Sequence, residues 1–192
     1  GFYTQYPKLN IISGYAAKNL ASNVYLAGRT EESVIGDDHQ VPLISLASGE
    51  VDPQERAAEA SVFRMQKRRA VYRDGLGSVL LPKGSDLPPN MTAPARNRVS
   101  IPLPYPLAHG NPRDTVFAEV DYTQLQKGIE QAFSDPEVQR TRTVAILYRD
   151  HLLAERYVEG FGPNTPILGW SMTKSVLATL YGILEYQGRL DI

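Results

Sequence analysis

Eight prolines fall between residues 82 and 113: Pro82, Pro88, Pro89, Pro94, Pro102, Pro104, Pro106 and Pro112. Each lacks a backbone N–H and has its φ fixed by the ring, so this stretch can be neither a helix nor a central strand. It reads as an extended connector that wraps a surface or links two parts. The chain is thereby divided into a mixed, turn-rich extension over residues 1–81, the connector over 82–113, and a more regular part over 114–192. No internal repeat is evident.

The bulk numbers narrow the function classes. A chain of 192 residues, 42% hydrophobic, is long enough for one domain or one and a half with a real core. A net charge of −1 leaves no cationic excess to neutralise phosphates, which argues against a general nucleic-acid binder. Cysteine is absent, which removes disulfides, thiol catalysis and thiolate metal sites. His39, His109 and His151 are far apart and form no zinc-binding spacing. The most apolar stretch, Val176 to Leu184, is well short of the roughly 18 residues a membrane span needs. The chain opens on Gly1, and a leader or anchor ahead of Phe2 is compatible with that start.

In the first part, Asp52-Pro53 suits the N-cap and first position of a helix. Ala60 to Phe63 and Ala70 to Tyr72 instead favour short strands, with Asp74-Gly75 as a turn before Val79, and strands are preferred. The last part is more regular. Asp121 and Gln124 resemble a capping box, and Leu125, Ile129 and Phe133 make one apolar stripe ended by Asp135-Pro136. Thr143 to Tyr148 and Leu152 to Val158 predict two antiparallel strands, with Asp150-His151 at the turn. After the loop Gly160 to Asn164, residues Ser171 to Gln187 predict a long helix. It is apolar over a wide arc through Met172, Val176, Leu177, Leu180, Ile183 and Leu184, the mark of a buried helix, with Gly188 as its C′ residue.

Ser171 and Lys174 open that helix, three residues apart and so on one face. A serine hydroxyl is a poor nucleophile until a base takes its proton. A lysine serves as that base when burial and the positive end of a helix dipole disfavour its charge. The free backbone N–H of Ser171 is suited to a developing oxyanion. Spacing alone is weak: 12 serines and 6 lysines give about 0.4 Ser-x-x-Lys matches by chance. The bland alternative is a capping serine with a solvated lysine one turn on.

Context adds to the motif. The string Gly169-Trp170-Ser171-Met172-Thr173-Lys174-Ser175, followed by Gly182-Ile183-Leu184 and Gly188-Arg189-Leu190-Asp191, resembles the serine β-lactamase-related family. That family includes class C β-lactamases, DD-peptidases, family VIII esterases and 6-aminohexanoate-dimer hydrolases. The hairpin Val144 to His151 with Glu155-Arg156-Tyr157 looks like its first two strands, with His151 where the usual Asp-Gly turn has glycine. The resemblance covers about residues 115–192. Ser13 to Lys18, Ala27-Gly28-Arg29 and Gly75-Leu76-Gly77 look like the N-terminal extension of a 6-aminohexanoate-dimer hydrolase-like bacterial branch.

The resemblance implies an α+β chain, the N-terminal portion of a β-lactamase/transpeptidase-like fold with an antiparallel sheet and flanking helices. It implies that Ser171 attacks an amide or ester carbonyl to form an acyl-enzyme and that Lys174 takes its proton. A Tyr-x-Asn or Ser-x-Asn motif and a Lys-Thr-Gly or His-x-Gly motif complete such sites, and both are expected beyond residue 192. The remainder of the same protein is thus an expected partner, beside a small-molecule amide or ester. Residues 1–192 alone are expected to be inactive, with an exposed apolar surface where partners are missing. No metal or organic cofactor and no nucleic acid is implied, and a periplasmic or extracellular location follows by analogy.

Other residues are weighed beside this pair. Trp170, the sole tryptophan, either lines the acyl pocket or is ordinary pocket wall. Tyr105 and Tyr122 match no family motif. His151 reads as a turn residue, His109 as a loop residue, and Arg64, Lys67, Arg68 and Arg69 as a solvated cluster. The alternatives to a hydrolase are a penicillin-binding sensor or scaffold, which would stay acylated, and a plain interaction module.

Overall fold

The computed structural model describes residues 2–86, 93, 95, 101–108 and 110–191. His109, Pro88, Pro89 and Pro94 lie outside them. The chain is mixed α+β, with five helices and two antiparallel sheets among the described residues.

The first element corrects the expectation for residues 1–81. A 24-residue helix, α1 (Phe2–Tyr25), precedes the strands. Its periodicity is carried by small residues: Ser13, Ala16, Ala17, Leu20 and Ala21 have no exposed surface. Such residues do not stand out in a hydropathy pattern, yet their spacing builds one face of a helix. A short helix α2 (Glu31–Asp37) follows, capped by Thr30, whose hydroxyl accepts from the Ser33 N–H at 3.2 Å.

Four strands then form a meander in sequence order: β1 (Ala47–Asp52), β2 (Ala57–Val62), β3 (Met65–Arg73) and β4 (Gly77–Leu80). The strand preference is therefore right and the helix at Asp52-Pro53 is not. Asp52 does cap backbone, but of a turn: its Oδ1 accepts from the Gln54 and Glu55 N–H groups, each at 3.1 Å. Phe63-Arg64 turn the chain from β2 to β3 with φ of 52° and 61°, a mirror-image turn whose twist suits a hairpin. Asp74-Gly75 turn it into β4 as expected, and Arg56 clasps Asp74 from the neighbouring turn at 2.8 Å.

Helix α1 packs across all four strands. Ala16, Ala17, Leu20 and Ala21 meet Ala58, Ala60 and Ala70, with Val34 of α2 closing one end. Alanine on both sides brings helix and sheet close. Gly49 suits that approach, because a Cβ there would lie 3.1 Å from Leu20 Cδ2 and the leucine would have to give by a few tenths of an ångström. The basic cluster is not simply solvated: Lys67 and Arg69 both pair with Glu59, and Arg68 donates to Asn10 Oδ1 of α1 at 2.9 Å.

The connector contains no helix or strand among its described residues, only a bridge between Pro104 and Gly110. Helix α3 (Tyr122–Ala132) then starts on Asp121, whose carboxylate accepts from the Thr123 and Gln124 N–H groups. Ile129 of the predicted stripe is its buried residue. Helix α4 (Pro136–Gln139) is a single turn. Strands β5 (Thr143–Tyr148) and β6 (His151–Tyr157) form the predicted hairpin as a separate two-stranded sheet. Its turn is one residue earlier than expected. Arg149 and Asp150 take φ of 46° and 60°, and His151 begins β6 opposite Tyr148. No described helix is long and apolar enough to cross a membrane.

The last helix, α5 (Thr173–Tyr186), ends as expected on Gly188, whose φ is 65°. Gly188 N–H donates to Glu185 O and Arg189 N–H to Leu184 O, each at 2.9 Å, the paired bonds of a Schellman cap. Its predicted burial is not observed. No residue of α5 is buried, and Val176, Leu177, Leu180, Tyr181 and Ile183 are all exposed. The apolar arc is present, but no described element lies over it.

Candidate active site

Ser171 lies in a 3₁₀ turn, Trp170–Met172, that leads into α5. The helix proper therefore begins two residues later than the sequence suggests. A tight first turn leaves the i, i+3 relation intact. Lys174 Nζ donates to Ser171 Oγ at 2.9 Å, an ordinary hydrogen-bond distance. The two side chains singled out by spacing are thus in direct contact. Both are exposed, and no carboxylate lies within salt-bridge distance of Lys174 among the described residues.

Trp170 holds an unusual backbone conformation, with φ of 45°. For a bulky residue that region costs about 1–2 kcal/mol. One face of the ring is covered: it lies on Tyr15 of α1, centroids 5.3 Å apart and planes tilted by 36°. An aromatic pair of this kind contributes about 0.5–1.5 kcal/mol, of the same order as the backbone cost. The rest of the indole faces solvent, at 67% exposure.

Tyr15 is itself held. Asn19 Nδ2 donates to its hydroxyl at 3.3 Å. Burial first, and Asp38 next, push that hydroxyl above its usual pKa, while Asn19 and Arg142 act in the opposite direction. Asp38 belongs to an ion network that sequence reasoning missed. Its nearly buried carboxylate is shared by Arg29, in a close pair, and by Arg142 at 2.8 Å. Arg29 also reaches Asp37 at 3.1 Å. Both guanidinium groups lie on Phe161, at 5.2 and 5.3 Å from its ring centre. Arg29 is nine residues from Asp38, but Arg142 is 104 residues away, so no local spacing could have announced the full network. The one available signal was the pair of adjacent acids, Asp37-Asp38, at the C-terminal end of a helix, where anions are disfavoured without cations to meet them.

The other predicted residues are elsewhere. The His151 ring packs edge-on against Phe117, 5.2 Å between centroids. Tyr122 donates no bond to the Ser171 region; its hydroxyl accepts from the Phe117 N–H at 3.0 Å. No cluster of three or more His, Asp or Glu side chains suited to a metal occurs among the described residues. The arrangement at Ser171 can therefore offer a hydroxyl and an amine in contact with it, next in sequence to an indole that packs on Tyr15. No protein-family model matches the chain, and no curated protein or solved structure proves similar to it.

Proposed function

We propose that Ser171 is the nucleophile, and Lys174 its general base, of a serine hydrolase that cleaves amides or esters through an acyl-enzyme. The observation that carries this reading is the 2.9 Å contact between Lys174 Nζ and Ser171 Oγ at the head of a helix. With the amine neutral, the same contact runs the other way: the hydroxyl donates to nitrogen and loses its proton as oxygen attacks the carbonyl. The sequence likeness to β-lactamase-related hydrolases supports the same assignment, and by analogy an exported, periplasmic or extracellular location.

The test is covalent. A fluorophosphonate or a penicillin is incubated with the protein and the adduct located by mass spectrometry. The expected adduct sits on Ser171 and is absent from Ser171→Ala and much reduced in Lys174→Ala. Labelling that persists unchanged in Ser171→Ala removes the assignment. A stable penicilloyl adduct together with no turnover of any amide or ester would favour a sensor over a hydrolase.

A further inference from the structure

We infer that Tyr15 is a positioning residue for the nucleophile turn, so that helix α1 of the N-terminal extension is a working part of the active site. The inference rests on the reading of Ser171 as nucleophile. Three observations carry it.

First, α5 cannot hold Ser171 in place by its own packing, since none of its residues is buried. Second, the segment leading to Ser171 lies along α1. Pro166, Ile167 and Leu168 face Ser22, Asn23 and Leu26 across a small cleft of about 50 Å³, and Trp170 then stacks on Tyr15 further up the same helix. Third, the residue next to the nucleophile is the strained one. Trp170 keeps its positive φ, and such a conformation persists where its surroundings over-determine it. The Tyr15 ring is the aromatic surface that meets it.

Tyr15 is suited to that task because it is fixed at both ends. Its ring lies under the indole, and its hydroxyl accepts from Asn19. Asn19 and Tyr15 are one turn apart on α1, whose buried face is anchored on four strands. A rigid helix thus carries the platform, and the platform sets the direction in which Ser171 leaves Trp170. A displacement of about 1 Å at a reacting atom can cost two orders of magnitude in rate.

The experiment compares Tyr15→Leu, Tyr15→Phe and wild type on the full protein. Three quantities are read: the rate constant for fluorophosphonate labelling of Ser171, the split of kcat and KM on an activated ester, and the emission of Trp170, the only tryptophan in the chain. Tyr15→Leu is expected to lower the labelling rate and kcat by about tenfold, to leave KM within about twofold, and to shift the Trp170 emission. Tyr15→Phe retains the ring but not the Asn19 bond, so it should recover most of the labelling rate, kcat and Trp170 emission. Wild-type rates in Tyr15→Leu overturn the inference, as does equal loss in Tyr15→Phe. If Tyr15→Leu does not fold, Trp170→Leu and Trp170→Phe carry the same comparison from the other side of the stack. Loss only in the leucine variant supports the inference, and equal rates overturn it. Labelling that survives in Ser171→Ala would instead remove the underlying assignment, so the two failures are distinguishable.

Discussion

Helix α1 lies across four strands with Ala16, Ala17 and Leu20 wholly enclosed, while helix α5, richer in large apolar residues, has none buried. The difference shows that apolar content does not decide burial. What decides it is whether a surface of matching shape exists to receive the helix. For α1 the receiving surface is a sheet of alanines and a glycine, close enough that a methyl added to Gly49 would crowd Leu20. Small side chains forgo transfer energy, but they allow backbones to approach and fill the space at near-crystalline density. For α5 the larger residues Val176, Leu177, Leu180 and Ile183 offer more apolar area and meet no described partner.

The sharpest way to break the comparison is at that close approach. Leu20→Ala removes the largest wholly enclosed side chain of the N-terminal unit. It should destabilise the chain by about 2–5 kcal/mol in a urea melt. Gly49→Ala alone places a new Cβ 3.1 Å from Leu20 Cδ2, so it costs stability to the extent that Leu20 cannot shift. In the double variant the two changes should cost less than their sum, since the truncated side chain frees the space the methyl needs. Strict additivity would mean that α1 is not seated on the sheet in this way.

A second test uses pH. His39 is 1% exposed, and neither ring nitrogen has a partner among the described residues. Burial pushes its pKa below the usual value, and the smaller opposing influence is Asp38. The folded state thus binds the proton more weakly than the unfolded chain. The stability it contributes is fully present above the unfolded pKa of about 6.5 and is lost as pH falls through the folded value. The acid groups nearby, Asp37 and Asp38, are held by Arg29 and Arg142. The expected result is a melting temperature that falls below about pH 6.5, with that part of the slope absent in His39→Phe. An unchanged slope in the variant would place the pH dependence elsewhere.

How much of this was legible in the sequence follows from the range of the interactions. Period-two runs and turn residues located β5, β6 and the Asp74-Gly75 turn, because those signals lie within a few residues of what they specify. The Ser171–Lys174 contact was legible for the same reason: helix geometry alone brings i and i+3 together. Helix α1 was missed because Ser13, Asn19, Ser22 and Asn23 stand on its buried face, where a hydropathy pattern expects larger apolar groups. The hairpin turn was misplaced by one residue because Arg149 gives no sign of a positive φ. The Arg29–Asp38–Arg142 network and the Tyr15–Trp170 stack join residues more than a hundred positions apart. Only the fold brings those together.

The smallest expected effect tests the other side of the comparison. Leu177 and Leu180 are 50% and 53% exposed, so replacing both with Gln removes little area from contact with protein. Gln is nearly as good a helix former as Leu, so the α5 backbone should be indifferent to the exchange. The stability of residues 1–192 should change by no more than about 0.5 kcal/mol, as for ordinary surface substitutions. Solubility should rise, because the exposed apolar row of Val176, Leu177, Leu180 and Ile183 is broken up. If the proposed hydrolase has an active form in which α5 is covered, the same substitutions should behave differently there. Two buried leucines exchanged for amides would leave unsatisfied polar groups and a poorly filled interface, and both stability and Ser171 labelling should fall. A large loss already in residues 1–192 would mean that α5 is packed in solution against a surface of this same chain. The contrast with α1 would then be one of degree rather than of kind.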